Sequence, residues 1–556
     1  MTNFITEKIL HFFVYDQQNP LVLTQIDFWI FYTVVYGLFT VFYKQYNKRN
    51  LFLFLVSLFY YYKVNNLFFL LLIFSITSDY FVARKMDVTK EEWKRKLMLL
   101  YSVIMNLGLL SYFKYAYFFT DSYNTIFHTD NKVFNYFAHW SNSTIGTHFS
   151  VDNIIFPVGI SFYTFQILSY TIDVYKRKIK PLNDFVAFGF YASFFPQVLI
   201  GPIVKARDFI PQLYKPFNLN GYQFGLAMFM ILNGLIKKLV VGDYIAVNFI
   251  DRVYANPLLF SGVENVLSVI AYSMYVYLDF SGYTDVAIGI AQLLGFKLTT
   301  NFNSPYKAKN VGEFWKRWHI SLSSWLQEYL YIPLGGNRKG TIASYIIIAI
   351  LTIFLALLLK SNVILWIVGS AAFVLAIISL VSPPVKNWLN TNINLMITML
   401  LGGLWHGATL NFIIWGGLNG LGLMVSKLWR KISPYEKIKS WPVHAWKVFN
   451  TFMFITFTMI YFRAEDMNQA KEVMDKISSD TNWTILPIVL DNFKEVFLLL
   501  LLAFIVHWLP TSVKWEYKKY FIKSPVWLKV TFVLLTFMMI YRTMTSEMKA
   551  FIYFQF

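Results

Sequence analysis

Apolar runs long enough to cross a bilayer recur from one end of the chain to the other, separated by short polar stretches. Residues 24–43 form the first. Residues 51–83 are too long for one simple helix, and Lys63, Asn65 and Asn66 interrupt them. They predict two short helices joined by a polar turn, or a re-entrant pair. A charged segment, 84–96, precedes a span at 97–119 that carries Lys114. Residues 120–150 are polar and mixed. Their histidines, His128, His139 and His148, have irregular spacing and read as solvated loop residues rather than metal ligands. Spans at 154–174 and 185–204 carry Pro157, Pro196 and Pro202, which in membranes mark kinked or broken helices packed inside protein.

Residues 222–250 are apolar but hold Lys237 and Lys238. Two lysines in mid-span would cost several kcal/mol, so this region reads as helices that dip in and return, or that line a wet cavity. Residues 262–295 enclose DFSGYTD, Asp279 to Asp285. Intramembrane acids are expensive either as a structural network tied to basic partners or as the wall of a substrate cavity, and both readings stand. Plain spans follow at 341–359 and 363–381, then 393–425 with His406, and 446–463. Residues 466–480 form a short amphipathic surface helix. Spans at 493–509 and 527–547 precede an aromatic, interfacial ending, FIYFQF. The count is about twelve or thirteen hydrophobic segments, some re-entrant. The fold class is all-α: a polytopic membrane helical protein with re-entrant or interfacial helices.

Composition sharpens this picture. Of 556 residues 57% are hydrophobic and 14% charged, against about a quarter charged in soluble domains. The net charge of +19 sits in short loops, such as Lys44, Lys48 and Arg49, Arg84 to Lys96, and Lys176 to Lys180. That is the pattern of cytoplasmic loops facing anionic lipid, not of a nucleic-acid binder. The absence of cysteine excludes disulfides, thiolate metal sites and a cysteine acyl-enzyme. MTNFITEKIL has no short apolar core followed by a small-residue cleavage site, so no cleaved signal peptide is expected. There is no glycine-rich phosphate loop, and no GxSxG, so a serine-hydrolase elbow is not expected. No internal repeat is evident.

Two stretches carry candidate chemistry. EFWKRWHISLSSWLQEYLYIPLGG, Glu313 to Gly336, sets His319 among tryptophans behind Lys316 and Arg317. Read as one helix, Trp315, Trp318, His319, Leu322 and Leu326 share a face. LGGLWHGAT, Leu401 to Thr409, puts His406 in an uncharged apolar run. Gly402, Gly403 and Gly407 would let a substrate or a neighbouring helix approach it closely. Each histidine alone also fits a hydrogen-bonded packing role. Together, buried neutral imidazoles can take a hydroxyl proton and so promote attack on an acyl thioester, provided water is kept out. The spacing alone does not choose between a transferase and a proton-coupled transporter or flippase. An absence of symmetry between halves disfavours the transporter.

Several stretches resemble the membrane-bound O-acyltransferase family, in its bacterial branch typified by the alginate O-acetyltransferase membrane subunit. They are DVYKRKIKPLNDFVAFGFYASFFPQVLIGPI (173–203), YLDFSGYTDVAIGIAQLLGF (277–296), NFNSPYKAKNVGEFWKRWHISLSSWLQEYLYIPLGGNRKG (301–340), LLGGLWHGATLNFIIWGGLNG (400–420) and the final FIYFQF. The resemblance implies a single membrane domain around a central tunnel. Its parts are variable N-terminal helices at 1–150, a core at 154–340 and 391–463, and C-terminal helices at 464–556. Residues 341–390 intervene as an extra helical hairpin that the family pattern lacks. It implies His406 as catalytic histidine and His319 as the second signature histidine, a position where many eukaryotic relatives have asparagine. Candidate substrate-binding residues are Trp315, Lys316, Arg317, Trp318, Trp405, Asp279, Tyr283 and Asp285, with Lys316 and Arg317 facing the donor's phosphates or anchoring lipid headgroups. No bound cofactor or metal is expected. The implied donor is acetyl-CoA, and the implied partner an extracytoplasmic SGNH-type acetyltransferase. The implied location is the bacterial cytoplasmic (inner) membrane, and the product an O-acetylated exported or envelope polysaccharide. D-alanyl transfer to a different envelope polymer is the alternative.

Overall fold

The computed structural model describes residues 13–16, 20–360 and 382–543, with isolated positions between 363 and 378. Every regular element among the described residues is helical, so the protein is an all-α membrane protein. The N-terminal part comprises α1 (Ile26–Phe42), α2 (Tyr46–Asn65), α3 (Phe69–Val88), α4 (Glu92–Phe127) and α5 (Tyr136–Ile145). The centre follows with α6 (Ile160–Tyr175), α7 (Phe185–Ser193), α8 (Ala206–Leu213), α9 (Gly221–Ala255) and α10 (Gly262–Leu293). Then come α11 (Val311–Trp315), α12 (Ile320–Leu326), α13 (Ile342–Leu358), α14 (Pro383–His406), α15 (Leu410–Ile432) and α16 (Trp441–Arg463). The C-terminal part is α17 (Met467–Ser479), α18 (Lys494–Trp508), α19 (Thr511–Lys523) and α20 (Val526–Thr543).

Among the described residues four helices are long and apolar enough to cross a membrane. Five are, if α18 and α19, bent by 99° to one another, count as one broken span. This is fewer than the hydrophobic segments counted in the sequence, because many of those described are shorter, broken or more polar, and several are buried within the protein. Residues 185–204 show why. They divide into α7 and a four-residue turn, Phe195–Val198, with Pro196 in its first turn, and are almost wholly buried. The run at 51–83 belongs to one of the four, Tyr46–Val88, in which α2 and α3 meet at Asn66, whose φ is 53°. The second arm of the 341–390 hairpin falls largely outside the described residues, as does FIYFQF.

The lysine pair at 237–238 does not mark helices that dip and return. It lies in one 35-residue helix, α9, wide-wound at Ile236–Gly242. Its charges are neutralised in place, by Asp285 and Asp279 of the neighbouring α10 and by Asp243 of α9 itself. Lys237 Nζ is 2.7 Å from Asp285, and Lys238 Nζ is 2.5 Å from Asp279 and 2.7 Å from Asp243. Two glycines allow that approach. A Cβ at Gly234 would stand 2.4 Å from the carbonyl oxygen of Gly282, so α9 and α10 touch backbone to backbone. α17 is the surface amphipathic helix, burying Ala470 and Val473 against the bundle.

Outside the spans, Glu328 gathers Arg207 (2.7 Å), Lys178 (2.5 Å) and Lys205 (2.8 Å). Those hydrogen bonds, Arg207's foremost, hold its carboxyl well below the usual carboxylate range. The clamp is therefore present above about pH 4.3 and is lost only as pH falls through that lowered value.

Candidate active site

His319 does not sit on one continuous helix with Trp315 and Leu322. α11 ends at Trp315, and α12 begins only at Ile320. Between them His319 adopts a left-handed backbone, φ 42°. The competing force is Asn301. Its backbone carbonyl accepts from the Ile320 N–H at 2.9 Å, and its Oδ1 accepts from the Ser321 N–H at 3.2 Å and hydroxyl at 3.0 Å. These bonds outweigh the helical ladder and turn the chain. They also fix the tautomer. An oxygen that accepts from a backbone N–H must face His319 Nδ1, 3.1 Å away, as an acceptor too. Nδ1 therefore carries the hydrogen and Nε2 carries the lone pair. Nε2 is buried and has no hydrogen-bond partner within the protein, while the ring packs edge-on against Phe280 at 4.7 Å.

His406 closes α14. Its ring lies 6.2 Å from that of His319, centre to centre, and 5.0 Å from Trp415, 5.2 Å from Trp405 and 5.5 Å from Phe462. Both histidines are almost completely buried, at 0% and 2% exposure. Glycines bring the walls in, and the close neighbour they admit is protein. A Cβ at Gly403 would be 2.2 Å from the Phe412 carbonyl oxygen, and one at Gly407 would be 2.0 Å from the Phe412 ring. α15 thus crosses α14 closely enough to set Trp415 against His406. From the far side α4 holds the turn. Lys114 Nζ donates to the carbonyls of Trp405 (2.7 Å) and His406 (3.1 Å), and the Tyr115 hydroxyl donates to that of Leu404 (2.8 Å). The indole N–H groups of Trp415 and Trp315, whose rings are 5.7 Å apart, are buried without an acceptor. Buried donors of this kind call for a polar occupant.

Trp405 and Trp315 therefore join the histidines. Trp318 lies one layer off, stacked on Phe314 at 5.6 Å. Lys316 is exposed, and Arg317 is engaged with Glu313 at 2.7 Å and the Asn303 carbonyl at 3.1 Å. Asp279 and Asp285 face α9 in the ion pairs above, and Tyr283 is buried on the same helix. Sequence reasoning passed over Trp415, Phe462, Asn301, Phe280 and Tyr115. It noted Lys114 only as a charge in a span, and a lone charge in an apolar run was the signal available.

Inside a polytopic helical bundle two buried imidazoles thus face each other, one presenting a lone pair, an arrangement chemically able to accept and return a proton. The chain matches the model of the MBOAT, membrane-bound O-acyltransferase family, over residues 21–394 and 383–464, and it belongs to that family. It is an O-acyltransferase, a multi-pass membrane enzyme acting on an acyl donor. It is 33% identical over 461 residues to a peptidoglycan O-acetyltransferase of Helicobacter pylori, covering 78% of this chain and 75% of that protein. It is 30% identical over 474 residues to a probable alginate O-acetylase of Pseudomonas aeruginosa, covering 83% and 75%. A teichoic acid D-alanyltransferase of Bacillus subtilis is 27% identical over 327 residues, covering 57% and 70%.

Proposed function

We propose that this protein moves an acetyl group from cytoplasmic acetyl-CoA, through a tunnel at the histidine pair, for O-acetylation of an exported or cell-envelope polysaccharide, peptidoglycan included. In this reading it works in the bacterial cytoplasmic membrane, with an extracytoplasmic SGNH-type acetyltransferase as a partner. The observation that carries the chemistry is the 6.2 Å pairing of two buried imidazoles among unpartnered indole donors.

His406 removes the proton of an acceptor hydroxyl. The oxygen attacks the thioester carbonyl, the C–S bond breaks, and the departing thiolate takes the proton from the imidazolium. His319, its Nε2 lone pair exposed to the site, accepts a hydrogen bond that orients the hydroxyl or the base. Trp315 and Trp415 offer N–H donors to polar atoms of the reacting groups, and with Trp405 and Phe462 they exclude water that would hydrolyse the thioester. The acetyl rather than D-alanyl choice follows the higher identity to the two acetylating relatives.

The test is acyl transfer into isolated membranes from labelled acetyl-CoA. His406→Ala, at unchanged expression, is expected to lose about 10²–10⁴-fold. Near-normal transfer by that variant ends the assignment, and transfer of labelled D-alanine instead of acetate redirects it to the alternative acyl group.

A further inference from the structure

The bend between α18 and α19 gathers positive charge that no ion pair there explains. His507, at the end of α18, is 3% exposed. Its Nε2 accepts from the Tyr306 backbone N–H at 3.2 Å. Its Nδ1 therefore carries the hydrogen, and it has no partner. Lys237, Lys307, Arg317 and Lys514 all lie within electrostatic reach of this ring, and Lys518 within reach of Lys237. Asp285 pairs with Lys237 and Glu313 with Arg317. Lys307 and Lys514, both half-buried, hold neutral oxygens instead. Lys307 Nζ donates to the Leu509 carbonyl at 2.6 Å, and Lys514 Nζ donates to Ser304 Oγ at 2.9 Å and to the His507 carbonyl at 2.6 Å. Five cations thus face two carboxylates, and the remaining buried N–H is also a donor. Half-buried ammonium groups without counter-charge are costly beside a membrane. An acceptor-rich anion resolves the imbalance.

We infer that this basin binds a phosphate ester, its source being the nucleotide end of the acyl donor or an anionic lipid headgroup. The donor source rests on the function proposed above. The placement suits it. Asn301, which orients His319, and Lys307 are six residues apart, so they stand within about 20 Å of each other even if the chain were fully extended. Tyr306 touches His507 at 5.4 Å, and Phe302 bridges Trp318 at 5.1 Å and Phe280 at 5.0 Å, with Phe280 against His319. An acyl-CoA carries its thioester at the end of a pantetheine arm, far from its phosphates. Such a ligand can lodge its charge in the basin and its thioester at the histidines. The excess of Lys over acidic residues here also places this end on the cytoplasmic side, where the donor is made.

The experiment uses the full-length protein in phosphatidylcholine nanodiscs, with and without added phosphatidylglycerol. It compares wild type with the Lys307→Gln/Lys514→Gln double variant. If the nucleotide occupies the basin, KM for acetyl-CoA rises at least about tenfold with kcat little changed. KM for S-acetylpantetheine, which lacks the phosphates, stays put. If lipid occupies it, both donors behave alike, and phosphatidylglycerol stimulates wild type but not the variant. If the variant shows neither the rise in KM for acetyl-CoA nor the loss of phosphatidylglycerol stimulation, the inference is overturned. Unfolding temperature checks integrity, and Lys514→Gln alone serves if the double variant does not fold. Calorimetric titration of CoA onto His406→Ala protein, with and without the lysine substitutions, separates the two readings. Binding that depends on the lysines stands even if acetyl transfer is refuted.

Discussion

Lys114 sets an ammonium beneath the last turn of the helix that ends at His406. The final carbonyls of a helix carry partial negative charge and lack intrahelical donors. Here the carbonyls of residues 404, 405 and 406 are all met from α4, by Tyr115 and Lys114. Removing the ammonium frees the turn and lets the imidazole drift. Displacement of a catalytic group by about 1 Å costs on the order of 10²-fold in rate. Lys114→Met is therefore expected to lower kcat by up to that factor with KM for the donor little changed, and Lys114→Arg, which restores a donor, to recover part of it. An equal fall in stability without a kcat effect would make Lys114 merely structural. The charge itself was legible in the sequence. Its partners were not, because they lie 291 and 292 residues away. His319 teaches the same lesson in reverse. Its helical spacing was plain to read, yet Asn301, eighteen residues upstream, turned the backbone out of the helix.

Glycines decide which elements reach the site. The helix α14 and its apolar character were legible from LLGGLWHG, and so was the use of its glycines for close approach. Which neighbour would approach was not, since a glycine records only that something comes near. The structure names it as α15. A Cβ at Gly416 would be 2.3 Å from the Met399 carbonyl oxygen, and Gly403 opposes it at the same crossing. Backbone cannot yield as a side-chain tip can, so Gly416→Ala must push the helices apart. Overpacking of this kind costs about 1–3 kcal/mol. It also moves Trp415, one residue before, away from His406. We expect a lower unfolding temperature in detergent together with a fall in transfer. Gly417→Ala, whose Cβ would meet Leu400 at an ordinary 3.4 Å, should leave both nearly unchanged. Sequence hydropathy likewise located the apolar segments, of which four among the described residues form helices long and apolar enough to cross a membrane. It measures what a segment could bury in, not whether lipid or protein covers it.

At the scale of the whole molecule, the acids of DFSGYTD had two readings in the sequence, a structural network or a substrate wall. Asp279 is 0% exposed, pairs with Lys238, and lies on the helix face turned to α9. The pair joins two of the longest helices, and it is surrounded by protein where a charge left alone is expensive. Breaking a buried pair costs about 3–5 kcal/mol when one charge is stranded. Lys238 also holds Asp243 at 2.7 Å. Asp279→Asn should therefore fall short of that range, because the ammonium keeps a counter-ion. Lys238→Met should come closer to it, because Asp279 and Asp243 both lose the Lys238 ammonium. If the network is structural, both variants lose unfolding free energy in that order, and the surviving folded enzyme keeps its KM for the acyl donor. If Asp279 belongs to a substrate wall, Asp279→Asn instead raises KM while chemical unfolding stays put. The ordering of two unfolding midpoints against one KM therefore decides between readings that the residues alone left balanced.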